Sequence, residues 1–146
     1  MIKSMKFLFI ALIVSSCAEQ KPKDQFTHLE GYWEISRVEI NPDSVREYKY
    51  NETIDFIDLD GATGTKSKVK PQLDGTYQVT GVTEDIEMVM DDKELYIKYT
   101  TPYDTFRERV VHAEENDLKL ENEEGVIYFY KRYKPLFSED EDNEKK

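Results

Sequence analysis

Residue types able to do chemistry are sparse and scattered in this 146-residue chain. There are two histidines, His28 and His112, and one cysteine, Cys17. A metal centre needs several His, Cys or carboxylate ligands converging on one point. Two isolated imidazoles do not supply that, so neither a metal nor a cofactor is expected. No Ser, His and acid stand in a spacing that marks a nucleophile beside its base. Asp and Glu number 31 against 20 Lys and Arg, so a fortuitous pair of carboxylates carries little information. Glu108 and His112 share a strand face with Phe106 and Val110, and are expected outside the fold or at its mouth. Arg107 and Arg109 share the opposite face with Tyr103. They either flank an open end and meet an anionic group, or pair with the many acids. The chain reads as a binding or interaction protein, not an enzyme.

The elements that must position these residues are bounded by length and charge. A chain of this size has room for one core. One Trp, seven Phe and ten Tyr argue against wholesale disorder, although charged residues make up 35% of the chain. The net charge of −11 disfavours nucleic acid and anionic lipid head groups as partners. Loss of residues 1–16 would remove Lys3 and Lys6 and make the chain more acidic still. A single cysteine allows no intramolecular disulfide.

Lys3 and Lys6 precede Phe7-Leu8-Phe9-Ile10-Ala11-Leu12-Ile13-Val14, an apolar run too short for a bilayer span of roughly 20 residues. These are signal-peptide proportions. Val14-Ser15-Ser16-Cys17 then resembles the lipobox of bacterial lipoproteins. That resemblance implies cleavage before Cys17, palmitate-type acylation of its sulfur, and a bacterial envelope address, the outer membrane over the inner. Two or more acyl chains anchor stably, at about 0.8 kcal/mol per buried methylene. Residues 17–27 read as the lipidated Cys plus a flexible polar tether. Residues 136–146 read as an acidic disordered tail.

Between them, residues 28–135 read as short antiparallel strands. Trp33 and Ile35 alternate with Glu34 and Ser36, and the apolar phase then shifts to Val38 and Ile40, as at a bulge. Tyr48–Leu59 reads as a second strand that also changes phase, from Ile54 and Phe56 to Ile57 and Leu59. Thr65–Lys70 puts Ser67 and Val69 on one face and Lys66, Lys68 and Lys70 on the other. The lysines read as a solvated face or edge protection, with an anion-binding stripe as the alternative. Asp74-Gly75 marks a hairpin. Further strands follow over Thr76–Val82, Asp85–Met90, Glu94–Thr101 and Tyr103–His112, then through Leu118 and Leu120, and over Val126–Tyr133. The count favours an all-β fold, an eight- to nine-stranded antiparallel up-and-down β-barrel.

Gly31-x-Trp33 on the first strand, with Arg132 ending the last, resembles lipocalins and their calycin relatives, above all the lipocalin-like lipoproteins of bacterial envelopes. The resemblance implies that Trp33 lies across the closed base with Arg132 on its indole. It also implies a monomer that binds or carries a small hydrophobic or amphipathic ligand. Phe56, Tyr77, Met88, Ile97, Tyr99, Tyr128 and Tyr130 are the candidate cavity lining. An eight-stranded barrel is near the size at which side chains alone fill it, or one small ligand fits. The alternative is therefore a filled barrel acting as an interaction or assembly module in the envelope.

Overall fold

A computed structural model describes residues 20–135. The signal peptide, Cys17 and the acidic tail expected from sequence lie outside the described residues. One short helix, α1 (Pro22–Phe26), precedes nine strands: β1 (Gly31–Asn41), β2 (Ser44–Glu47), β3 (Ile54–Asp60), β4 (Thr63–Pro71), β5 (Tyr77–Asp91), β6 (Glu94–Thr100), β7 (Thr105–Ala113), β8 (Asp117–Asn122) and β9 (Ile127–Arg132). From β3 to β9 each strand pairs antiparallel with the next, and β9 returns to β1. The sheet is a closed eight-stranded barrel with one additional strand.

β1 closes the ring. Its residues Trp33 to Glu39 pair with β9, while Gly31 to Trp33 also pair with β3 and Arg37 to Asn41 with β2. A strand has only two edges, so β2 and β3 lie in succession along the same edge of β1. The long second strand expected over Tyr48–Leu59 is thus broken, with only its later part in β3. Asn51 spans part of the break by donating to the Ile35 carbonyl at 2.8 Å. The expected phase change in β1 is present as a register shift between Ile35 and Arg37. The two strands expected over 76–82 and 85–90 are instead one, β5. Its bend is a register shift that sets Thr80, Gly81 and Val82 against Lys68 alone.

Two expectations about facing are corrected. β3 keeps one phase throughout, with Asp55 and Ile57 inward and Ile54 and Phe56 outward. Across the ladder Ile57 pairs with Lys66 and Phe56 with Ser67. Lys66 and Lys68 therefore face into the barrel, while Ser67 and Val69 face out. The outer residues are still covered, because the β4–β5 hairpin curls back over them. Ile54 and Val69 are buried there. Tyr32 stacks on Phe56 at 4.4 Å and on Tyr77 at 4.1 Å. A covered outer face reads in sequence like an inner one, which is why the phase misled.

The base is held by three residues. Trp33 is fully buried, and its Nε1 donates to the Leu29 carbonyl at 2.8 Å. The Arg132 guanidinium lies 3.7 Å from the indole centre. It donates to the carbonyls of Glu115, Glu30 and His28 at 2.9, 2.6 and 2.8 Å. Gly31 has a φ of +119°, and a Cβ there would stand 2.5 Å from Arg132 Nη1. Residues 20–27, expected to be flexible tether, pack against the base. The Gln20 side chain bonds both backbone groups of Ala113, and the buried Gln25 amide donates to Val110 O at 3.1 Å.

Trp33→Ala is expected to cost about 3–5 kcal/mol in denaturant unfolding, as for other buried aromatics. Gly31→Ala, which combines a disfavoured φ with a clash, should cost more than about 1 kcal/mol. An unchanged melting temperature in either variant would contradict this account of the base.

Candidate functional site

The interior is divided by polarity. From Leu29 and Trp33 at the base, the core runs through Ile57, Ile86, Met88, Leu95, Ile97, Val110, Leu118 and Leu120 to Tyr99 and Tyr130. Above that layer, toward the end opposite α1, the inward positions become charged. Lys66 is 12% exposed at its side chain, Glu108 is 12% exposed, and Asp55 is 3% exposed. Lys66 Nζ stands 3.6 Å from Asp55 Oδ2 and 3.9 Å from Glu108 Oε2, and donates to Tyr99 Oη at 3.3 Å. Tyr99 in turn donates to Glu108 Oε2 at 2.6 Å. Lys68, half exposed, ion-pairs with Asp55 from the solvent side.

The strands explain this placement. Ile57 pairs with Lys66 and Ile97 with Glu108, so each charged side chain shares the inner face of the sheet with an apolar cross-strand neighbour. Aromatic rings wall the cluster: Phe106 stacks on Tyr99 at 4.8 Å, and Lys66 Nζ lies 5.3 and 5.7 Å from the Tyr99 and Tyr130 ring centres. The half-buried Tyr128 accepts from Asn122 Nδ2 at 3.4 Å near the rim.

Burial opposes a charge on Lys66, but Tyr130 and Tyr99, together with the Asp55 and Glu108 carboxylates, outweigh it and hold the ammonium pKa well above its usual value. Burial first, then the Glu108 charge, pushes the Tyr99 phenol well above the usual range, and burial raises Tyr130 likewise. These neighbours favour the charged form of Lys66. The cluster also keeps spare bonding capacity. An ammonium has three protons, and Lys66 spends one on Tyr99. Asp55 Oδ1 meets the Lys68 ammonium, while Oδ2 has only the longer contact to Lys66.

Of the residues expected to line a cavity, Met88, Ile97, Tyr99 and Tyr130 lie together in the barrel interior, and Tyr128 packs at its edge. Phe56 and Tyr77 do not join them; they stack outside with Tyr32, for the facing reason given above. His112 lies outside near Glu114, turned away by a register shift between Val110 and His112. Glu108, with Phe106 and Val110 on its face, points inward at the mouth. Arg107 and Arg109 pair with Asp91, Glu94, Glu121 and Glu123, which is the pairing alternative. Sequence reasoning missed Lys66 and Asp55. The available signal was that Asp55 shares the phase of Ile57 and Leu59.

No protein-family description matches this chain, and no curated protein matches it. Among solved structures it is similar to a lipocalin-like protein from Bacteroides uniformis, at 14% identity and a TM-score of 0.45, over 73% of this chain and 99% of that one. It is also similar to apocrustacyanins C1 and C2, each at 13% identity and a TM-score of 0.43, over 82% of this chain and 67% of theirs. The strand order itself is that of an eight-stranded antiparallel up-and-down barrel.

Lys66→Met should leave Asp55 and Glu108 without their shared cation and cost about 3–5 kcal/mol, with Asp55→Asn recovering part of the loss in the double variant. The raised pKa values of Lys66, Tyr99 and Tyr130 act in one direction. The unfolded chain releases these protons first, so stability is intact below about pH 10 and falls as pH rises toward the folded-state values. Denaturant titrations from pH 8 to 11 check this. An alkaline slope as steep in the double variant as in the parent would contradict it.

Proposed function

We propose that the barrel binds a small, neutral, amphipathic molecule at its open end, and that the protein is held at a bacterial envelope membrane by acylated Cys17. The observation that carries the binding reading is the buried Lys66–Asp55–Glu108–Tyr99 cluster beneath the mouth. Replacing a buried ion pair by well-packed apolar residues is often neutral or stabilising, so stability alone gives little reason to keep one there. Lys66 ion-pairs with both Asp55 and Glu108, and Lys68 with Asp55. A charged ligand group would unbalance them in a medium that screens weakly. A hydroxyl or amide can accept from Lys66 and donate to Asp55 at once. Tyr99, Phe106 and Tyr128 supply apolar faces for the rest of the molecule. The role is carriage or sensing rather than catalysis.

The filled-barrel alternative draws on a separate observation: the interior between Trp33 and Tyr130 is tightly packed, and Leu73 and Tyr103 stand exposed on mouth turns. Mass spectrometry of the intact protein, gently purified from its membrane, separates the two. The binding reading expects an acylated Cys17 and a retained neutral small molecule. Glu108→Gln, which keeps shape but removes the charge that orients Tyr99, should lower retention by about tenfold, the scale of one charged hydrogen bond. Acylated protein that captures nothing from a total lipid extract would leave the interaction module as the better reading.

A further inference from the structure

The described chain is fastened down almost as soon as it begins. Gln20 accepts from Ala113 N at 3.1 Å and donates to Ala113 O, α1 follows at once, and Gln25 is tied to β7. Only Ala18 and Glu19 separate Gln20 from Cys17. Three residues span at most about 10 Å. Any group attached at Cys17 is therefore joined to the base of the barrel through a linker of two residues.

That same end carries a largely apolar cleft of about 240 Å³ between α1 and the barrel, lined by Pro22, Phe26, Ala62, Met88, Met90 and Leu95, with Lys23 at its edge. Met90 is 59% exposed beside it. Lys21 and Lys23 stand exposed on the helix edge. At the opposite end, Leu73 is 92% exposed on the β4–β5 turn.

We infer that the α1 end of the barrel rests on the surface of the anchoring bilayer, with Met90 and the cleft at the boundary between head groups and acyl chains, and with the mouth turned away. This rests on the acylation reading given above. Covalent reach keeps the base of the barrel close to the bilayer, so the surface nearest the anchor is the one placed to meet it. An exposed methionine over an apolar cleft gains from entering that boundary, whereas a solvated loop does not. Asp60 and Asp92, on the base turns β3–β4 and β5–β6, repel anionic lipid, so the surface fits zwitterionic head groups. The ligand mouth then opens toward the aqueous compartment, where a delivered or received molecule is reached without crossing the base.

The test uses the full-length acylated protein in phosphatidylcholine vesicles, with an environment-sensitive fluorophore on Met90→Cys or, separately, on Leu73→Cys. The expected result is blue-shifted emission and strong quenching by doxyl-labelled phosphatidylcholine at position 90, with neither at position 73. Vesicle-bound protein whose two probes are equally water-exposed, or whose position 73 is the one quenched, would overturn the orientation alone. Acylated protein that fails to bind vesicles would overturn the anchoring reading, and the orientation with it.

Discussion

Arg132 against Trp33 is the interaction on which the barrel depends. Trp33 is the one residue of β1 that pairs with β3 on one side and β9 on the other, so it sits where the ring closes. Arg132, opposite it, caps the carbonyls of three separate segments with one rigid fork while its face covers the indole. A guanidinium is suited to this double duty because it is planar, permanently charged and weakly hydrated. Cation–π contacts of this kind are worth about 0.5–2 kcal/mol, but the larger consequence is geometric. The clamp fixes the residues before β1, and with them α1 and the base. Gly31 is part of it, since only the absence of a side chain lets the guanidinium pass.

Closing the ring at one end frees the other to be polar. With the lower interior sealed by Trp33, Leu29 and the strand residues above them, core packing does not require the upper positions to be apolar. Lys66 occupies one of them at a desolvation cost that its neighbours offset. Two carboxylates, a phenol and the faces of Tyr99 and Tyr130 surround it, and the half-exposed Lys68 balances the second acid. Such a network fixes its members in place when satisfied and is costly when broken. Partial satisfaction, as at Asp55, is the condition in which a further donor gains most.

Much of this was legible from the residues. The roles of Gly31, Trp33 and Arg132 came through a resemblance: Gly-x-Trp heading the first strand and an Arg ending the last. The hairpin turn at Asp74-Gly75 helps place the strands. Facing was harder. Alternation shows that two faces differ but does not say which is inside, and at β3 and β4 both are covered. The curled β4–β5 hairpin buries Ile54 and Val69 from outside, which made Lys66 look solvated. Phe56 and Tyr77 were misplaced for the same reason. The docking of Gln20 and Gln25 left no trace in polarity, since both side chains reach backbone groups far away in sequence that no local pattern reveals.

The central claim is that one lysine ammonium sits inside the barrel and is what the ligand meets. Side-chain ¹⁵N–¹H spectra of the lysine-labelled protein near neutral pH address it directly. The account predicts one ammonium signal that survives solvent exchange, is lost in a Lys66→Arg variant, and shifts when neutral amphiphiles from the membrane extract are added. If every lysine ammonium exchanges alike with water, or the shifts fall only on exposed lysines such as Lys93, Lys66 is not the centre of the site.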